Sequence, residues 1–252
     1  MSSRSKALLK RLGRLVSLRR QVRVVARLVP LRHWYRAAIC VARLHGWLTA
    51  RLGGGNRHLT EAAMLDHWLL ELTLCSPYPI PWRGVGVEVL NHHDSKHGTM
   101  FCWTHVPMFE VPLHALMEMG HSPQVAADPG KIVGDHEFVV PGAARRLRAI
   151  PMDPYVLIRM RTVLRQGGSV ACLADPELGA PLSPHVLHFA GRMGARVIFL
   201  WAERGRDGVV DVHFVEPPRP LCRSEEDIAA NMEFLRAENR RLLGPLGIGG
   251  SP

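Results

Sequence analysis

The chain has no acidic residue before Glu61 and no C-x-x-C pair. It also has no stretch of about 20 residues free of charge, which excludes an ordinary membrane-spanning helix. The five cysteines, Cys40, Cys75, Cys102, Cys172 and Cys222, are odd in number and widely scattered. With no close pair among them they form neither a zinc nor a redox motif, and they read as reduced thiols of a cytosol-facing protein. No internal repeat is present. Nor does the chain have the composition of a disordered one: 47% of its 252 residues are hydrophobic, ample for the core of one large domain or of a domain with an arm.

What the first segment has instead of acid is arginine. Residues 1–60 carry 14 of the 32 Lys and Arg residues, and the rest of the chain carries 18 bases against 22 acids, so an arm of +14 precedes a body of −4. A basic arm on a mildly acidic body calls for an anionic partner. In a helix, Leu8, Leu12, Leu15 and Val16 share one face with Leu9 at its edge, opposite Lys6, Lys10 and Arg14, which is the pattern of a helix lying on a membrane. Arg19 and Arg23 interrupt that face further on. After Pro30, Arg32, Arg36 and Arg43 form a stripe, and Trp34, Tyr35 and Trp47 suit a belt at headgroup level. Nucleic acid, bound through its phosphates, is the competing partner, and the aliphatic content of the arm argues against it. An Arg-rich, acid-free start also fits a transit peptide, although the Trp-bearing second segment makes removal of the whole arm less attractive.

The sequence Gly-Gly-Gly-Asn at 53–56 ends the arm, and Thr60 with Glu61 opens a helix reaching about Leu74. Beyond it the pattern alternates in type. Strands are expected at 85–90, 99–104, 123–127, from the glycine turn at 167–168 to about 174, at 195–202 and at 208–216, the last two paired across the turn 205–208. Helices are expected at 107–119, 153–166, 184–193 and 224–243. The Pro-rich run 216–221 reads as a stiff exit from the final strand. The fold class is therefore α/β: a mixed, mostly parallel central sheet covered by helices on both faces, with a basic helical N-terminal arm. Residues 1–52 form the membrane-surface arm and 57–245 the α/β domain.

Ligands of such sheets sit beyond the carboxyl ends of the strands. Phe-Cys-Trp-Thr-His-Val-Pro-Met-Phe-Glu, 101–110, places His105 where a buried strand gives way to a helix and Glu110 in that helix's first turn. From there a carboxylate can hold one imidazole nitrogen while the other takes a proton, as a general base requires; a polar pair merely satisfying each other at a helix start is the plainer alternative. Asp175 and Glu177 end another buried strand and are expected in the same crevice. Arg145, Arg146 and Arg148 are the candidates for contacting a phosphate, on a stretch taken for an exposed helix. Cys102 is a rival nucleophile, but a small thiol inside a buried strand is more often packing. His92, His93, Asp94 and His97 offer metal ligands, yet Asn91, Ser95 and Gly98 around them mark a surface turn, and no metal is expected.

Three stretches carry a family resemblance. Thr-His-Val-Pro-Met-Phe-Glu at 104–110 resembles the H-x-x-x-x-E signature of the lauroyl/myristoyl-type lipid A acyltransferases, in the lysophospholipid acyltransferase superfamily. Leu-Arg-Gln-Gly-Gly-Ser-Val-Ala-Cys-Leu-Ala-Asp-Pro-Glu-Leu-Gly at 164–179 is similar to that family's basic turn, buried strand and acidic, proline-containing loop. Phe-Ala-Gly-Arg-Met-Gly-Ala-Arg-Val-Ile-Phe-Leu at 189–200 is similar to its helix ending in a small-residue turn before a strand. The three lie in matching order within residues 60–245.

The resemblance implies acyl transfer from a thioester of acyl-carrier protein or coenzyme A to a lipid hydroxyl. In it His105 takes the hydroxyl proton, Glu110 orients the imidazole, and backbone N–H groups near Val106 receive the charge that grows on the carbonyl oxygen. No cofactor beyond the thioester co-substrate is implied. The partners are anionic membrane lipid and the acyl donor, not nucleic acid, at the cytoplasmic face of the inner membrane. The chain departs from the family in having an arginine-rich arm in place of a spanning helix. It also has no arginine about 20 residues before the acidic loop, and it does not end in an aromatic-His-Arg-Arg stretch. Those departures keep open an inactive, membrane-bound relative that holds a lipid or carrier.

Overall fold

The computed structural model describes residues 81–91, 98–106, 108–140, 146–176, 180–204, 209–221 and 224–243, with a few positions between 33 and 51. The amphipathic stretch of the arm, most of its second segment, the turn 53–56, the expected helix 60–74, His92, His93, Asp94, His97, Arg145, Glu177 and the turn 205–208 lie outside them.

One large sheet of nine strands organises the described residues: β1 (Trp82–Val85), β2 (Thr99–Trp103), β3 (Gln124–Ala127), β4 (Ile132–Val133), β5 (Glu137–Val139), β6 (Arg146–Pro151), β7 (Ser169–Leu173), β8 (Arg196–Arg204) and β9 (Val210–Val215). Their spatial order is β1-β9-β8-β2-β7-β3-β6-β5-β4. Five pairings are parallel and three antiparallel, the antiparallel ones being β8 with β9, β5 with β6 and β4 with β5. The fold is α/β with a mixed, mostly parallel sheet. Among the described residues beyond 80, the α-helices are α1 (Val111–Glu118), α2 (Val156–Arg165), α3 (His185–Met193) and α4 (Glu225–Leu243).

Strand alternation divides the core into two clusters. Phe101 and Trp103 of β2 pack with Leu113 and Leu116 of α1, while Met100 and Cys102, between and beside them in sequence, pack with Leu164 of α2, Leu187 of α3 and Met232 and Leu235 of α4. The start of β2 is drawn tight against the end of α2. Gly98 donates its N–H to the Leu164 carbonyl, and a Cβ on Gly98 would meet the Gly168 carbonyl oxygen at 2.3 Å, so only glycine fits there. In the exit from β9, buried Asn231 of α4 holds the backbone N–H and C=O of Arg219 at 3.1 and 3.0 Å.

Three local expectations are corrected. The strand expected at 85–90 is instead β1 followed by a 3-10 turn, Val87–Asn91. Gly86 separates them, at φ +74 and so close to Phe214 that a Cβ would lie 2.4 Å from its carbonyl oxygen. The arginines at 146 and 148 are on strand β6, not a helix; Leu147 and Ala149 between them are buried while the arginines stay exposed. The helix expected from Pro107 begins at Val111, with Glu110 as its N-cap. The segment before it is turn: Phe109 and Val111 donate to the carbonyls of Val106 and Met108, three residues back, and Met108 takes φ +69. Pro112 explains the delay. A helix starting at Pro107 would bury proline in its interior, where the ring removes a hydrogen bond, whereas a start at Val111 leaves it in the first turn.

Candidate active site

β2 and β7 run parallel, with Cys102 level with Cys172 and Trp103 level with Leu173. The pairing continues one step, Ala174 donating to the Trp103 carbonyl at 2.7 Å, and then breaks. In a parallel ladder the His105 N–H would next meet the Ala174 carbonyl. Ser183 has already taken that carbonyl, at 2.7 Å. The His105 N–H turns instead to the side chain of Asp175, 2.9 Å from Oδ1 and 3.0 Å from Oδ2. The same Oδ1 lies 3.0 Å from His105 Nδ1. Asp175 thus ends the sheet ladder and holds the imidazole with one carboxylate.

The Asp175 side chain is fully shielded from solvent, whereas the His105 ring keeps 17% of its surface exposed. A carboxylate only accepts, so the proton between the pair belongs to Nδ1 and the acceptor lone pair of the neutral ring is on Nε2. Phe109 tilts against the imidazole, centroids 5.1 Å apart, and the Lys131 ammonium lies 5.6 Å from the Phe109 centroid. Immediately before His105, Thr104 is buried and donates its hydroxyl to Asn239 Oδ1 of α4 at 3.1 Å. The result is a histidine fixed in tautomer and orientation at the carboxyl end of a buried strand and partly open to solvent. Chemically it can accept a proton from a hydroxyl, a thiol or water.

The structure brings together only some of the candidates. His105 and Asp175 are in contact, and the carboxylate on Nδ1 is Asp175, not Glu110. Glu110 stands half-buried at the N-cap of α1, making no side-chain cap hydrogen bond there. The Val106 N–H, expected as an oxyanion donor, is occupied by the Thr104 carbonyl at 2.9 Å. Arg146 and Arg148 are far from the crevice. Phe101, Ala171, Val125 and Ala149 lie at one level of β2, β7, β3 and β6. From that register Arg148 is five residues below His105 and three strands across, about 16 Å along the strands and about 14 Å sideways. Arg146 lies two residues lower still and pairs with Glu137 of the hairpin. Cys102 belongs to the other core cluster from Phe101 and Trp103. Its hydrogen bond to Cys172, and next its burial, push the thiol well above its ordinary 9.0, the opposite of what a nucleophile needs. Lys131, absent from the sequence-based candidates, reaches the Phe109 ring that tilts against His105; no local motif marks a lysine in a short turn after β3.

Among the described residues no cluster of three His, Cys, Asp or Glu side chains is placed to hold a metal, and no helix is long and apolar enough to cross a membrane. No protein-family model matches the chain, and no curated protein matches it.

Proposed function

We propose that the chain is an acyltransferase of the lipid A acyltransferase type, moving a fatty acyl group from a carrier thioester to a hydroxyl of a lipid. The observation that carries this reading is the His105–Asp175 contact: 3.0 Å on Nδ1, at the carboxyl ends of two neighbouring parallel strands. His105 Nε2 takes the acceptor's hydroxyl proton as that oxygen attacks the thioester carbonyl carbon. The tetrahedral intermediate then collapses, the C–S bond breaks, and the imidazolium returns the proton to the leaving sulfur. Asp175 holds the ring and balances its charge while it carries the extra proton. No covalent acyl-enzyme forms, consistent with Cys102 facing the other cluster with a raised thiol.

In this reading Glu110 borders the acceptor without touching Nδ1, and the arm, residues 1–52, keeps the α/β body on the cytoplasmic face of the inner membrane with helices covering both faces of the sheet. The test is transfer of a labelled acyl group from acyl-carrier protein or coenzyme A to total membrane lipid, beside thermal unfolding. His105→Ala is expected to remove turnover by about 10²–10⁴-fold while the melting temperature stays near wild type. Undiminished transfer in that variant would refute the mechanism.

A further inference from the structure

α2 turns Met160 and Leu164 inward, both nearly fully buried, which accounts for one face of the helix. Arg159, Thr162 and Gln166 give the outward face its polar surface further along, but the start of the helix does not show one. Met152, Tyr155, Leu157 and Ile158 are 53, 61, 51 and 61% exposed, four large apolar side chains within seven residues. They are gathered at the N-terminal end of the helix and in the turn that leads into it. Further along the same face come Arg161 and Arg165, both exposed.

The position of the patch is fixed by the sheet. β6 runs parallel to β3, β3 to β7 and β7 to β2, so the chain leaving β6 at Met152 emerges on the same edge as His105. The Met152 N–H is tied to the carbonyl of Ala127, the last residue of β3, at 2.9 Å. From that edge α2 runs back toward β7. Its apolar end is therefore outermost on the site's side, and its arginines sit behind it, Arg161 about 4.5 Å and Arg165 about 10 Å along the axis from Ile158. That spacing matches the depth to which interfacial helices bury their apolar residues, about 5–10 Å below the headgroups. The local charge agrees. The acid beside the patch, Asp153, is bound by Arg159 through both carboxylate oxygens at 2.9 Å, which leaves Arg161 and Arg165 to give the side of the helix behind the patch its net positive charge.

We propose that this end of α2 is a bilayer-docking tip for anionic membranes. Leu157 and Ile158 enter the boundary between headgroups and acyl chains, Met152 and Tyr155 lie at the interface, and Arg161 and Arg165 meet lipid phosphates. Docking here turns the carboxyl edge of the sheet, and His105 with it, toward the membrane. The inference stands on exposure, charge and topology, and holds whether or not the chain transfers acyl groups.

The test is hydrogen exchange read by mass spectrometry on the full chain, with and without vesicles of phosphatidylglycerol and phosphatidylcholine. Slower exchange in peptides spanning 152–162 with the anionic vesicles, weaker with pure phosphatidylcholine or high salt, is the expected result. Vesicle association through other segments, with 152–162 unchanged, would overturn the proposal. Protection of these peptides that grows with protein concentration and needs no vesicles would overturn it too, since the occupant is then a second copy. In cosedimentation, Leu157→Ser with Ile158→Ser should lower vesicle binding several-fold at an unchanged melting temperature, and Leu157→Met with Ile158→Leu should restore it. Wild-type binding by the serine variant would count against the tip.

Discussion

The parallel middle of the sheet and its antiparallel margin treat charge in opposite ways. In β2 and β7 every residue but those at the strand ends is buried, and the ionisable groups, His105 and Asp175, come just past the last rung of the ladder. In β5 and β6, charged Glu137, Arg146 and Arg148 lie within the strands, the arginines exposed, with Glu137 and Arg146 paired at the surface. Both regions put a basic and an acidic side chain within contact. Only the first does so just past the end of a parallel ladder with its carboxylate shut off from water, which is the setting the proposed proton transfer needs. An exposed pair on a strand does little beyond its modest surface attraction.

The most damaging way to break this contrast is to exchange the two regions' importance. Asp175→Asn keeps the shape of the side chain but removes its charge and can present an N–H to Nδ1, favouring the wrong tautomer. It should lower acyl transfer by about 10²-fold or more, whereas Arg148→Ala should leave transfer near wild type. If Arg148→Ala proved as harmful as Asp175→Asn, the assignment of the site to the parallel edge would fail. In stability the same ranking should hold. Phe199 on β8 is fully buried, and Phe199→Ala should cost about 3–5 kcal/mol in denaturant unfolding; Val139 on β5 is 45% exposed, and Val139→Ala should stay within about 1 kcal/mol. Equal losses at the two positions would erase the distinction.

A gentler probe uses the opposite flank. Burial alone would raise the Glu203 carboxyl, but Arg241 and His213 hold it below its ordinary 4.5. A depressed carboxyl stabilises the fold above its unfolded value and loses that contribution as pH falls through the folded one. Wild type should therefore lose stability as pH drops below about 4.5, and Glu203→Gln should show a flatter decline over the same range. Parallel pH profiles for the two proteins would contradict it. The smallest effect is expected at the margin itself, where Arg146→Ala, removing the exposed pair with Glu137, should change stability by no more than about 0.5 kcal/mol in thermal unfolding.

Much of the sheet was legible because its strands carry their own signals. Buried apolar runs mark β2, β7 and β8, and alternation with a turn marks the β8–β9 pairing. β6 was equally legible in principle, since Arg146-Leu147-Arg148-Ala149 alternates with period two, but the arginines drew the reading toward a solvated helix. The hairpin β4–β5 was not legible, because strands of two and three residues are too short to show a period. The site divides the same way. His105 could be found from the strand-to-helix change around it, while its partner could not be chosen locally. Glu110 and Asp175 are both acidic, both beside glycine- or proline-marked turns, and what selects Asp175 is the register of β2 against β7 and the diversion of the Ala174 carbonyl to Ser183, 70 and 78 residues beyond His105 in sequence. Pairing between distant segments is invisible to any local window.

The carboxylate that orients the imidazole also closes the last hydrogen bond between two central strands, so the base proposed at His105 has no motion of its own to lose. A catalytic histidine on a mobile loop can fail while the protein around it stays folded. Here disarming His105 means prying β2 from β7 at the middle of the sheet. Activity measured against temperature should fall on the same curve as global unfolding, with no earlier inactivation step, and the His105 amide should be among the last at its end of the sheet to exchange with solvent.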